Sequence, residues 1–223
     1  MGILFRFSTF ALMFTLFVLN ACVLDDRIDT VMSTVSGIAA EAEAGTGAEA
    51  AAIQGEVVVS FDFERQSGSA SNQHAVWIED MDGNLVKTLY ASNWTASGGY
   101  KSRPDSIALW VEKSNLASLS KQEVDAVSGA TPRTGALSYS WDLTGADGAG
   151  VPGGEYKVLV EGTLRWKNYV VYTGVINIGD KPETVQAVAE YNYEGIDRYA
   201  ALTDSATENK MIGPVTVVYT PSP

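Results

Sequence analysis

The sequence predicts an all-β fold, a two-layered β-sandwich interrupted by one long connection, and three observations carry that expectation. Apolar and polar residues alternate with a period of two, seven or eight short β-rich runs are separated by Gly, Pro, Asp and Asn, and no long amphipathic helix follows residue 54. The first run is the clearest. Val57, Val59, Phe61 and Phe63 fall on one face with Val58, Ser60 and Asp62 between them, so a long strand opens the domain near Gly55. After a polar stretch, residues 75–79 and 85–90 flank Asp80-Met81-Asp82-Gly83-Asn84, which predicts a hairpin. Residues 136–143, 155–162, 169–178, 185–193 and 214–219 supply the later strands. Residues 91–135 are too long for a plain sandwich loop and are read as a functional insertion, with a turn or two of helix at 113–125.

The other end of the chain speaks to location. Arg6 is the sole charge before an apolar run over residues 7–19, which closes on Leu19-Asn20-Ala21-Cys22. A membrane-spanning helix needs ~20 apolar residues, so residues 1–21 read as a signal peptide. The ending resembles the bacterial lipobox, whose cysteine takes diacylglycerol on its thiol and an acyl chain on its new amino terminus. That resemblance implies lipidation of Cys22, with membrane lipid and the lipoprotein processing and sorting machinery as partners. Only a thiol gives the thioether, and two or more acyl chains hold a protein at a membrane where one does not. By resemblance to sorting in Gram-negative cells, Val23 in place of aspartate implies the periplasmic face of the outer membrane. Cys22 is the only cysteine, so no disulfide forms within one copy. Residues 22–54, short of aromatics and rich in Ala, Gly and acidic residues, read as a flexible lipidated linker, and 55–223 as a single β-domain.

Charge and composition exclude several functions. With 27 acidic against 15 basic residues and a net charge of −12, the chain is no nucleic-acid binder, since phosphate recognition needs clustered Lys and Arg. His74 is the only histidine, so neither a Ser-His-Asp triad nor a multi-histidine metal site can be built; it reads as an edge-of-sheet or hydrogen-bonded residue. Asp80, Asp82 and Asn84 open like a calcium loop, but glycine falls at the fourth position instead of the sixth, and a hairpin turn explains them. Glu64, Arg65, Glu79 and Asp105 are expected to form ion pairs that fix strands, and Trp166 with the aromatics of 169–172 to pack in the core. No converging catalytic set is recognisable, and the chain reads as a non-catalytic binding or accessory module of the cell envelope.

Three resemblances refine this. Trp141-Asp142-Leu143, Asp147-Gly148 and Val151-Pro152-Gly153-Gly154-Glu155-Tyr156 resemble the strand-turn-strand signature of immunoglobulin-like modules in flagellar hook-capping proteins, which implies an immunoglobulin-like β-sandwich. More extensively, Phe63-Glu64-Arg65-Gln66-Ser67-Gly68, Ser71-Asn72-Gln73, Ala75-Val76-Trp77-Ile78-Glu79-Asp80, Gly98-Gly99-Tyr100, Arg103-Pro104-Asp105-Ser106 and Trp110 resemble the DUF2271 family of predicted periplasmic proteins, over roughly residues 56–178. That family implies an extracytoplasmic domain and supplies no activity.

Inside the insertion, Asp125-Ala126-Val127-Ser128-Gly129-Ala130-Thr131 resembles the acceptor site of extracytoplasmic FMN-binding domains, where a flavin transferase joins the phosphate of FMN to a threonine hydroxyl. The resemblance implies covalent FMN on Thr131, a flavin transferase and a membrane redox protein as partners, and a role as electron carrier. Ser128 would position the strand or bond a phosphate oxygen, Gly129 and Ala130 keep the approach open, and Asp125 aid recognition. Trp94, Tyr100 or Trp110 would cover the isoalloxazine ring, and Arg103 or Lys101 pair with phosphate. Pro132-Arg133-Thr134-Gly135 then departs from the small hydroxyl residue and helix that follow in typical acceptors. Two readings therefore stand: a cofactor-free module in which 128–135 is a turn with Thr131 bonded to backbone, or a carrier with FMN on Thr131.

Overall fold

The computed structural model describes residues 53–67, 71–165, 168–193 and 210–223, all within the compact unit Glu49–Pro223. The signal peptide, Cys22, the linker as far as residue 52, and Trp166 lie outside the described residues. Ten strands are present among the described residues: β1 Gly55–Phe63, β2 Gln73–Glu79, β3 Leu85–Ser92, β4 Ser128–Gly129, β5 Gly135–Trp141, β6 Gly154–Arg165, β7 Asn168–Ile178, β8 Glu183–Gln186, β9 Val188–Tyr193 and β10 Thr216–Pro221. They form two open sheets, in the orders β5-β1-β10-β8 and β4-β3-β2-β6-β7-β9. Three short helices, α1 Asn93–Ala96, α2 Ala108–Lys113 and α3 Lys121–Val127, lie between β3 and β4.

The period-two pattern of β1 does what it predicts. Val57, Val59, Phe61 and Phe63 point into a core shared with Val76 and Ile78 of β2, Val158 and Val160 of β6, Val170 and Ile176 of β7, and Val217 and Tyr219 of β10. The expected hairpin forms between β2 and β3, with Asp80 at its turn accepting hydrogen bonds from the backbone and side-chain nitrogens of Asn84 at 2.8 Å each. The run expected as one strand over 185–193 divides at Ala187, whose N–H donates to Val215 O at 2.9 Å. Its first part joins the four-stranded sheet and its second the six-stranded one.

The fold class itself is corrected. The described residues make a mixed α/β fold with two open sheets and three helices, and neither an all-β protein nor an immunoglobulin-like β-sandwich. The cause lies on β2, which is buried along its whole length. One face carries His74, Val76 and Ile78 toward the sheet-to-sheet core. The other carries Ala75 and Trp77 into a second core with Ile107, Trp110, Leu116 and Val124 from the helical segment and Leu159 from β6. The insertion at 91–135 is thus a covering layer with its own apolar interior. It ends by adding β4 parallel to β3, pairing Ala91 with Ser128 and Ser92 with Gly129. The Trp141–Tyr156 signature does fold locally, with the two rings edge to face at 5.2 Å, Trp141 Nε1 donating to Thr144 O and Tyr156 OH to Pro152 O. Its two strands, however, belong to different sheets.

The helical layer is held from below by the sheet. α2 has no side-chain cap of its own, and its preceding residue, Ile107, sits at φ 42°, a left-handed conformation unfavourable for a β-branched side chain. Thr163 Oγ1 of β6 accepts the Ile107 N–H at 2.8 Å, and Glu161, two residues earlier on the same face, accepts the N–H groups of Leu109 and Trp110 at 3.3 and 2.9 Å. Sheet side chains therefore supply the hydrogen bonds that the first turn of a helix leaves open.

Candidate functional site

The segment 125–131 is built on α3. Ser120 and Glu123 make a capping box, with the Ser120 hydroxyl accepting from Glu123 N at 3.3 Å and the Glu123 carboxylate from Ser120 N at 2.7 Å. Val124 anchors the helix on the second core, which leaves Asp125 exposed. Asp125 lines a hollow of about 300 Å³ together with Tyr100, Lys101 and Lys121.

Beyond the helix each residue has a defined partner. Ser128 Oγ accepts from Asn93 Nδ2 at 3.0 Å. Gly129 lies flat against Tyr90, so close that a Cβ there would stand 2.9 Å from the ring. The Tyr90 hydroxyl donates to the carbonyls of Gly129, at 3.2 Å, and Ala130, at 2.9 Å. Thr131 is half-buried, and its hydroxyl oxygen receives a long, 3.4 Å bond from Gln73 Nε2. Gln73 is itself buried and accepts from Thr95 Oγ1 at 3.0 Å, which in turn lies 2.7 Å from Ser106 Oγ.

These bonds bring some of the anticipated residues together and separate another. Trp94 stands on α1 between Asn93, which holds Ser128, and Thr95, which reaches Thr131 through Gln73. Its indole is 45% exposed, and the Arg103 guanidinium lies 5.2 Å from the ring centroid. Tyr100 is half-buried on the wall of the hollow with Asp125. Trp110 is fully buried in the second core, with Nε1 donating to Thr88 Oγ1 at 3.1 Å, and takes no part in this surface. Of the four residues expected in ion pairs, Glu79 is buried and meets Lys113 at 3.3 Å while also accepting from Trp77 Nε1; Glu64 and Arg65 are exposed.

Two buried titratable groups lie on β2 and β6. His74 sits on a central strand rather than a sheet edge, fully buried, with Nε2 2.8 Å from the Tyr139 hydroxyl and its ring stacked 4.6 Å from Tyr90. Burial pushes its pKa down to about 3, so the ring is neutral. Its Nδ1 has no hydrogen-bond partner among the described residues. On the opposite face of the sheet, burial pushes the Glu161 carboxyl up to about 7, against the opposing pull of the N–H groups of Trp110, Leu109 and Ala108. Sequence reasoning missed Tyr90, Gln73 and Glu161 as residues that hold the layer and the segment. A polar residue in a β-run reads as solvent-facing until something is known to cover it.

A family model described as a predicted periplasmic protein (DUF2271) matches residues 55–194. The chain belongs to the DUF2271 family. The match takes in β1 to β9 and the whole helical layer, so both cores and the 125–131 segment are parts of the family domain. Curated proteins and solved structures gave no match. Among the described residues of this DUF2271 protein no three His, Cys, Asp or Glu side chains are grouped to hold a metal ion, and no helix is long and apolar enough to cross a membrane.

Proposed function

We propose that this predicted periplasmic DUF2271 protein is a lipid-anchored envelope module that carries electrons, with FMN joined through its phosphate to Thr131. The observation that supports this reading most directly is the setting of the Thr131 hydroxyl. It ends a segment pinned by Asn93 and Tyr90, and its contact is a weak bond from a glutamine side chain, where a simple turn would satisfy it with backbone. Groups of the right chemistry are present on the helical layer: Lys101 and Lys121 line the hollow that Asp125 shares, Arg103 lies over the Trp94 ring, and Trp94 offers an exposed aromatic face. Trp110 is unsuited to that role.

Attachment would proceed from a flavin adenine dinucleotide donor. Thr131 Oγ forms the new P–O bond as the bond between the two phosphates breaks, AMP leaves with the bonding pair, and the hydroxyl proton passes to a base of the transferase. Once bound, FMN would supply one- and two-electron transfer; the protein's part is to hold and orient it. Coexpression with a flavin transferase is expected to give a band that fluoresces on a denaturing gel and is absent in Thr131→Ala. If the wild-type band stays dark while a known acceptor domain is labelled, the cofactor-free accessory module is the reading that remains.

The anchor is supported by the sequence 1–22. Radiolabelled palmitate is expected to enter the wild-type chain and not Cys22→Ala, which should be released from membranes in fractionation. Equal labelling of the two would remove lipidation at Cys22 from the proposal.

A further inference from the structure

Resting on the reading of Thr131 as a flavin acceptor, we infer that Tyr90 is the positioning residue of that site, the surface and donor that fix the acceptor segment for transfer. Two independent contacts lead there. The Tyr90 ring is the body against which Gly129 is pressed, with room for no side chain between them. Its hydroxyl then holds the next two carbonyls, those of Gly129 and Ala130, directly before Thr131. A segment with no regular structure from Ala130 to Thr134 is in this way given a fixed starting direction.

Tyr90 can act so because it is itself immobilised. It belongs to β3, its ring stacks on His74 at 4.6 Å and 24°, and Tyr139 lies 5.1 Å away on the neighbouring sheet. His74 is locked by the hydrogen bond between its Nε2 and the Tyr139 hydroxyl and packs on Phe61 and Phe63 of β1. Burial raises the Tyr90 hydroxyl, against a hydrogen bond from Ser92, so it remains a protonated donor at neutral pH. The acceptor segment is therefore referenced, through one ring, to the core between the two sheets. Group transfer is sensitive to placement: a misplacement of about 1 Å lowers rates by on the order of 100-fold.

The test is the rate of flavin transfer to the purified full-length protein, with a transferase and flavin adenine dinucleotide. Tyr90→Phe removes the donor and keeps the ring; the carbonyls it frees lie near the surface, so the melting temperature should move by only a few degrees. The rate is expected to fall on the order of 10- to 100-fold, in kcat and not in KM, because the outer surface offered to the transferase is unchanged. Gly129→Ala, which forces the segment off the ring, should show the same loss, and Thr131→Ser should retain transfer. Equal kcat for wild type and Tyr90→Phe overturns the positioning role while leaving the acceptor reading intact. No transfer to wild type overturns the acceptor reading itself.

Discussion

Replacing Trp110 by alanine is expected to destabilise the domain by about 3–5 kcal/mol, the range for emptying a buried aromatic site. The side chain is fully buried at the centre of the second core, between Ile107 and Leu116 of the helical layer and Trp77 and Leu159 of the sheet. Its removal strips apolar contacts from both and leaves the Thr88 hydroxyl without its indole donor. The surrounding β2 and β6 are fixed by pairing on both sides, so the space cannot collapse. Trp94→Ala, made at an exposed indole on the same layer, is expected to change stability by no more than about 0.5 kcal/mol. Urea denaturation of the two variants beside wild type reads the contrast. A loss below about 1 kcal/mol in Trp110→Ala would mean that the helices rest on the sheet without being packed into it.

That contrast bears on what the sequence made legible. The strands of the sheet-to-sheet core were plain from β1, because one face of β1 is apolar and the other is not, and alternation is what a half-buried strand shows. The helical layer was legible only at its end, where the sequence predicts a turn or two of helix at 113–125 and α3 covers Lys121–Val127. α1 has four residues and α2 six, too short for a 3.6-residue period to repeat, and α2 lacks a side-chain cap that would announce its start. The available signal was on the strand they cover. Ala75-Val76-Trp77-Ile78 is a continuous apolar run, the mark of a strand buried on both faces, and a two-sheet arrangement covers only one.

The acceptor segment was legible as a motif, while its supports were not, since they come from distant positions. Tyr90 lies 40 residues before Ala130, and Gln73 lies 58 before Thr131. A tyrosine in a hairpin strand carries no mark that its hydroxyl serves another segment. Glu161 misled in the same way, standing between Val160 and Gly162 where an outward-facing charge is expected. Only the presence of α2 above it turns that position from solvent into interior.

Glu161→Gln is expected to expose a pH dependence that wild type conceals. The native carboxyl holds its proton to about 7, while the unfolded chain releases it above the ordinary value of 4.5. Native protein therefore binds more protons through this window, and the group's contribution to stability declines as pH rises from 4.5 to 7, by about 1.4 kcal/mol per unit and about 3 kcal/mol in all. His74 acts in the opposite sense. Its native pKa of about 3 lies below the ordinary 6.5, so the unfolded chain takes up a proton that the native state refuses, and stability declines as pH falls from 6.5. Between pH 5 and 8 these contributions nearly offset one another, each amounting to about 2 kcal/mol. Asp142, whose carboxyl is held at about 2 by hydrogen bonds from Thr144 and Lys87, titrates outside the window. Wild type should thus show a shallow profile, and Glu161→Gln, with only the histidine limb left, should gain about 2 kcal/mol in unfolding free energy from pH 5 to pH 8. Urea denaturation at the two pH values measures both slopes. Parallel profiles for wild type and variant would place the Glu161 carboxyl near its unfolded value, and the bonds it accepts from α2 would then be those of an ionised group at every pH in the range.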